Sequence, residues 1–510
     1  MKKAILPILI LLSITAAAQT PEDALRTAWF NPAGTARYMA TGGVMGSLGG
    51  DITANHVNPA GLGLFKTNEV VLSPGFGFNS NKFNYRGTDT SNSKTNLNYG
   101  TSGVIFGTVN KNETSKWVSS AFAISVTQLA SYNNRIQFKG FNNISSFTEQ
   151  YLEELTKDQA DTNAALSNYI FGSSLAFRTY LIDTTSGAGG IVTGYQSLVP
   201  ISTGVNQFYD ANTAGGYHEI AIGYAGNMGD KLYVGGSLTI PIIHYQRELM
   251  YSETDATNST TNQFKSFTYK ESFTSNAVGV GLKLGVIFKP IEPLRLGIAI
   301  HTPQFLGFTD RISSSITANT EGYAGIRTAN SNDLNGGQPG ERKYNMITPW
   351  KAILSSSYVF GGSSDVRSQK GFISADLEYV NYRGARFSSA GTIDQTLVDY
   401  YTLINEGIKD TYKGNINLRL GGELKFNTFM IRLGGAYYGS PYADANLKAN
   451  KILATGGVGY RNHGMFIDLS YTHTINKDVQ FPYRLNDKPN TFAEQGGFRG
   501  NIVMTVGFKF

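Results

Sequence analysis

The sequence predicts an all-β protein, a transmembrane antiparallel β-barrel of about fourteen strands. Three observations carry that prediction. From about Asn68 to Phe510, segment after segment alternates apolar residues with polar residues or glycine. That period of two suits a strand with lipid on one side and a lumen on the other. The connectors alternate between short and long, as periplasmic turns and external loops do. Only 16% of the 510 residues are charged, while Gly 58, Tyr 29 and Phe 30 are abundant, which points away from disorder. A soluble β-sandwich also alternates. Its strands average about 5–6 residues, however, and many segments here run beyond the roughly 9–11 that cross a bilayer.

Taken in order, the chain begins "MKKAILPILILLSITAAAQT". Lys2 and Lys3 form a basic start, Ala4 to Ile14 an apolar core, and Ala16-Ala17-Ala18 a small-residue cleavage site before Gln19. Residues 1–18 therefore read as a secretory signal peptide, its apolar run being too short for a membrane span. With Cys 0 in the sequence, disulfides, thiolate metal sites and a lipid-modified N-terminus are excluded. Residues 19–67 have no hydrophobic period. They are dense in glycine and carry two related tetrapeptides, Asn31-Pro32-Ala33-Gly34 and Asn58-Pro59-Ala60-Gly61.

Strands are expected at 68–79, 97–109, 116–138, 216–227, 231–251, 264–289, 293–317, 343–360, 371–385, 413–425, 428–439, 450–461, 464–476 and 498–510. In "LRLGIAIH", Leu294, Leu296, Ile298 and Ile300 face one way and Arg295, Gly297, Ala299 and His301 the other. "VGVGLKLGVIF" sets Val278 to Phe288 at even positions against Gly279, Gly281, Lys283 and Gly285. "NINLRLGGELKF" and "FMIRLGGAYYG" put Arg419, Glu423 and Arg432 on the polar face. Long loops are expected at 80–96, 139–215, 252–263, 318–342, 386–412, 440–449 and 477–497. Two of them carry helical patterns with capping boxes, Ser146 with Glu149 and Thr392 with Gln395. The last strand ends on an aromatic, Phe510, which resembles the signal read by the barrel-insertion machinery.

The stretch "ARYMATGGVMGSLGGDITANHVNPAGLGLF", Ala36 to Phe65, resembles the N-terminal pattern of the FadL/TodX outer-membrane transporters. Asn58, Pro59 and Ala60 match that family's Asn-Pro-Ala element, Gly61 and Leu62 continue it, and Asp51 matches an upstream acid. "TPWKAILSSSYVF" and "LRLGIAIHTP" also resemble strands of the family. The resemblance implies a fourteen-stranded barrel, residues 68–510, whose lumen is closed by an N-terminal hatch, residues 19–67. It implies uptake of a hydrophobic ligand such as a long-chain fatty acid or aromatic hydrocarbon, in an outer membrane of lipid and lipopolysaccharide. Release is implied to be sideways, through the wall at the third strand. Asn31-Pro32-Ala33-Gly34 lies too early for the motif and reads as a turn.

On that third strand, "TQLASYNNRIQF" puts Gln128 and Asn134 on the parity of the outward Phe122, Ile124 and Val126. Polar side chains facing lipid are costly, so the strand is expected to bend there, giving a candidate wall opening. Lys283, Arg295, Arg419 and Arg432 are candidate lumen cations for an anionic ligand, with Asp376, Glu378, Glu423 and Asp468 as competing partners. The six histidines lack metal-ligand spacing, and no Ser-His-acid set converges on one face, so neither enzyme, metal nor cofactor is expected. Scattered charges give no footprint for nucleic acid. The competing reading is a surface binding or assembly protein of the same fold, associated with type IX secretion.

Overall fold

The computed structural model describes residues 21–510 apart from 113, 188, 190, 258, 362–368, 392–394 and 448. The signal peptide and the Thr392 cap lie outside the described residues. Those described form one closed antiparallel barrel of fourteen staves. The first stave is Glu69–Leu72 with Pro74–Tyr85, the second Thr88–Tyr99 with Ser102–Val109, and the third Trp117–Ser131 with Asn134–Asn142. The fourth to sixth are Val205–Met228, Leu232–Asp255 and Ser266–Ile291. The seventh is Leu294–His301 with Phe305–Asn319. The eighth joins Ile326–Asn330, Gly340–Ile347 and Lys351–Phe360, and the ninth Gly371–Asn381 with Arg386–Ser389. Gly414–Phe426, Phe429–Tyr438, Asn450–Asn462, Met465–Gln480 and Ala493–Lys509 complete the ring. The last closes on the first, with Glu69 opposite Lys509 and Gly75 opposite Val503.

The period-two faces are those expected. Leu238, Val278, Leu284, Ile298, Leu418 and Leu433 are exposed on the outside. Their neighbours Arg295, Ala299, His301, Arg419 and Arg432 are buried in the lumen. An apolar belt on a closed barrel is the form in which strands cross a bilayer, because closure leaves no unpaired edge in lipid. No described helix is long and apolar enough to cross a membrane.

The staves outrun the apolar belt at one end. Residues 80–96, expected as a loop, are strands joined by a tight turn at Arg86 and Gly87, both at positive φ. Above the belt both faces of a strand meet water, so the apolar alternation that marks a strand disappears while the ladder continues. The loop between the third and fourth staves contains the helices Glu149–Lys157, Thr162–Ser167 and Ser173–Arg178 and the hairpin Ile182–Ser186 with Val192–Ser197. Its expected capping box is half formed. The Ser146 amide donates to the Glu149 carboxylate at 2.9 Å, but the Ser146 hydroxyl donates to the buried Glu253 at 2.6 Å. The second loop helix, Gln395–Thr411, packs instead with the N-terminal helix Pro21–Arg26, Ile408 and Tyr401 sharing a core with Ala24 and Leu25.

Candidate functional site

The N-terminal segment threads the lumen, and the wall is shaped for it. Inward positions on several staves are glycine where the segment's backbone touches. A Cβ on Gly285 would overlap the Asn58 side chain, and one on Gly297 the Gly46 carbonyl. One on Gly421 would strike the Thr41 carbonyl, and one on Gly434 the Gly42 amide. Backbone against backbone is the approach only glycine allows.

Asn58 is fully buried. Its Nδ2 donates to the Gly46 carbonyl at 2.5 Å and reaches the wall carbonyls of Val286 and Ile298 at 3.3 and 3.4 Å. Its Oδ1 accepts from the Ala60 amide at 3.1 Å, capping the 3₁₀ helix Pro59–Leu64, which Pro59 opens with a preset φ. Gly61 lies against Gly49, where a Cβ would come within 2.8 Å of the Gly49 Cα. Asp51 accepts from the Thr35 hydroxyl at 2.7 Å and the Thr53 amide at 2.9 Å. The motif therefore knits the segment to itself and to staves six and seven.

The four sequence-picked cations lie at the boundary between this plug and the wall. Lys283 pairs with Glu219 and donates to the His56 carbonyl at 3.0 Å. Arg295 donates to the Leu48 carbonyl at 2.6 Å. Arg419 pairs with Glu378 at 3.0 Å, and Arg432 bridges Glu423 and Asp468, both at 2.6 Å. Glu423 also holds Arg37 of the plug at 3.3 Å. Wall carboxylates that sequence reading treated only as partners also grip the plug directly. Asp376 accepts from the Met45 and Gly46 amides at 3.0 and 3.1 Å. His56 of the plug donates from Nδ1 to Glu219 at 2.8 Å while its Nε2 accepts from the Ser125 hydroxyl at 2.9 Å. Burial pushes its imidazole below the usual range.

Above the plug the lumen opens into a cavity of about 830 Å³. One side is aromatic, with Tyr132, Tyr245, Phe147 and Tyr269; the other is polar, with Asn98, Thr472, Asn476 and Arg499. Trp29 and Phe30 of the N-terminal segment form part of its floor. Sequence reading missed these residues, although Arg499 shares the inward parity of Val503 and Thr505.

The wall beside this cavity is irregular. The lower second stave pairs regularly with the third, from Ser102 opposite Val126 down to Val109 opposite Ser119. Above that, Thr88–Tyr99 has no backbone ladder with the third stave among the described residues. Side chains cross instead: Asn96 Nδ2 donates to Ser131 Oγ at 3.1 Å, Thr90 to the Gln137 carbonyl at 2.8 Å and Arg86 to the Phe141 carbonyl at 2.6 Å. At the foot of this seam Gln128 Oε1 accepts from the Tyr99 amide at 3.3 Å, and the third stave is bulged between Gln128 and Ala130. Its strand is interrupted at Tyr132 and Asn133. The bulge corrects the expected parity. Beyond it Asn134 pairs with the inward Thr213 and accepts from Asn81 Nδ2 at 2.8 Å, so it faces the lumen. An extra residue in one strand reverses every side chain that follows.

A plugged, closed β-barrel with a two-faced cavity and a seam in its wall defines the class of fold. No protein-family model matches the chain, and no curated protein matches it. Among solved structures, a Pseudomonas aeruginosa FadL homologue superposes with a TM-score of 0.57 at 12% identity, covering 94% of this chain and 99% of that one. The Pseudomonas putida toluene transporter TodX superposes at 0.51 and 15% identity, covering 94% and 99%. The chain has the FadL/TodX fold.

Proposed function

We propose that this protein takes up hydrophobic compounds across the outer membrane, receiving them in the cavity above the plug and releasing them sideways through the seam. The observation that carries the reading is the seam itself. The missing ladder ends at Tyr99 and Gln128, level with the outward Ile242 and Val278, and at that foot it gives an apolar solute in the cavity a route into lipid that avoids the end where the plug is docked. Side-chain bridges hold that seam, and isolated hydrogen bonds of this kind contribute about 0.5–1.5 kcal/mol each, so it is the cheapest part of the wall to open. Of the candidate wall-opening residues, Gln128 is at the foot of the seam and Asn134 is on its lumenal side. Asp51, Asn58, Pro59, Ala60 and Gly61 act as the hatch that forces the sideways route. The toluene carried by TodX and long-chain fatty acids are both candidate cargo.

The test is accumulation of labelled oleate and labelled toluene by cells lacking other routes, with and without this protein at matched surface levels. Faster accumulation of either supports uptake; equal rates for both refute it. The competing reading, surface binding associated with type IX secretion, draws on the helical loop between the third and fourth staves. It predicts equal rates together with a secretion defect when residues 149–197 are removed.

A further inference from the structure

Buried polar atoms without partners are rare in folded proteins, and here they gather. Trp29 Nε1, Asn31 Oδ1, Asn98 Oδ1, Thr472 Oγ1, Asn476 Oδ1 and Arg499 Nε are all shielded and make no hydrogen bond among the described residues. All six residues line the same cavity above the plug. They come from the N-terminal segment and from the second, thirteenth and fourteenth staves, which are far apart in sequence and share one patch of wall.

Two cations lie with them. Arg499 and Lys451 make no ion pair among the described residues. Lys451 donates to the Trp29 carbonyl at 2.8 Å, its Nζ lying 3.7 Å from the centre of the Trp29 ring. Of the cavity's own carboxylates, Asp23 is paired with Arg26 at 3.0 Å and Glu271 with Arg247 at 2.6 Å, all four within the lining, which also carries Glu154 and Asp478. The opposite wall, from Tyr132 to Tyr269, is aromatic.

Resting on the uptake reading above, we infer that the cavity holds an amphiphilic organic anion with several hydrogen-bonding groups beside its charge more tightly than a plain alkyl acid or a neutral hydrocarbon. The charge sits between Lys451 and Arg499. Amide or hydroxyl groups next to it satisfy Thr472, Asn476, Asn98 and Trp29, and the apolar body lies on the aromatic wall. A site built around buried donors and acceptors discriminates strongly against ligands that leave them unpaired. A plain hydrocarbon would strand all six.

Three probes of equal chain length separate the terms: N-octanoyl-glutamate, octanoate and 1-octanol, measured by equilibrium dialysis against the full-length protein in amphipol. N-Octanoyl-glutamate is expected to bind about tenfold or more tighter than octanoate, and octanoate tighter than octanol. Arg499→Gln and Thr472→Val each weaken N-octanoyl-glutamate by about tenfold and leave octanol unchanged. Octanol binding as tightly as N-octanoyl-glutamate overturns this inference and leaves the uptake reading standing. Failure of all three probes to bind overturns both. The probe comparison on the unaltered protein decides the matter even if a variant does not fold.

Discussion

The two halves of the lumen are built on opposite plans. In the half that holds the plug, glycines on the inner wall admit the plug's backbone, and buried carboxylates and cations are matched against it and against each other. In the half above it the inner wall carries large aromatics and amides, with polar atoms that have no hydrogen-bond partner among the described residues around a cavity. The first plan closes a pore; the second leaves surface for a guest. The same barrel scaffold supports both because every inward position is free to vary while the outward face stays apolar.

That contrast can be broken most severely at a charged contact. Lys283→Met leaves Glu219, fully buried, without its cation, a loss of about 3–5 kcal/mol. The plug should loosen, read as protease cleavage within residues 34–65 and sensitivity to large antibiotics, while heat-modifiable gel mobility keeps the barrel intact. Unchanged protection would mean the plug is not held by these pairs. Next, Gly285→Val pushes a side chain into Asn58 and should cost about 1–3 kcal/mol of plug docking. Gly236→Val on the adjacent stave faces outward, where the nearest atom to a new Cβ is Leu284 at 3.4 Å, and should change stability by less than about 0.5 kcal/mol. Equal phenotypes would contradict the claim that inward glycines exist for the plug. A disruptive change of similar size is Asn58→Ala. It removes the helix cap and one donor from buried carbonyls, about 1–3 kcal/mol. Surface abundance should hold while uptake of labelled oleate shifts several-fold, because a local plug equilibrium moves that far; lost insertion would make the motif's role structural.

The staves were legible because lipid imposes a strict alternation on residues such as Leu294 to His301, and the plug was legible through its resemblance and its lack of period. Why glycine recurs on the inner face was not, since a glycine in an alternating strand reads as a polar-side filler until the backbone docked against it is seen. Asn134 was placed on the wrong face because one bulged residue at Gln128–Ala130 carries no mark in composition. The cations were recognised as lumenal, but parity alone cannot tell Lys283, which meets the plug, from Lys451, which meets the cavity. Height along the barrel separates them, and height depends on the register of fourteen staves. The polar wall around Arg499 was hidden for the same reason: its members are adjacent only after closure.

The central claim is that cargo leaves through the seam between the second and third staves. The chain has Cys 0, so Asn96→Cys with Ser131→Cys introduces a single bridge across the hydrogen bond of 3.1 Å that now spans it. The account predicts that uptake of labelled oleate falls to the background of cells lacking the protein when this pair is oxidised and recovers on reduction, with either single cysteine behaving as the parent. Uptake that is unchanged by a fully formed bridge would show that cargo passes elsewhere and would contradict the account.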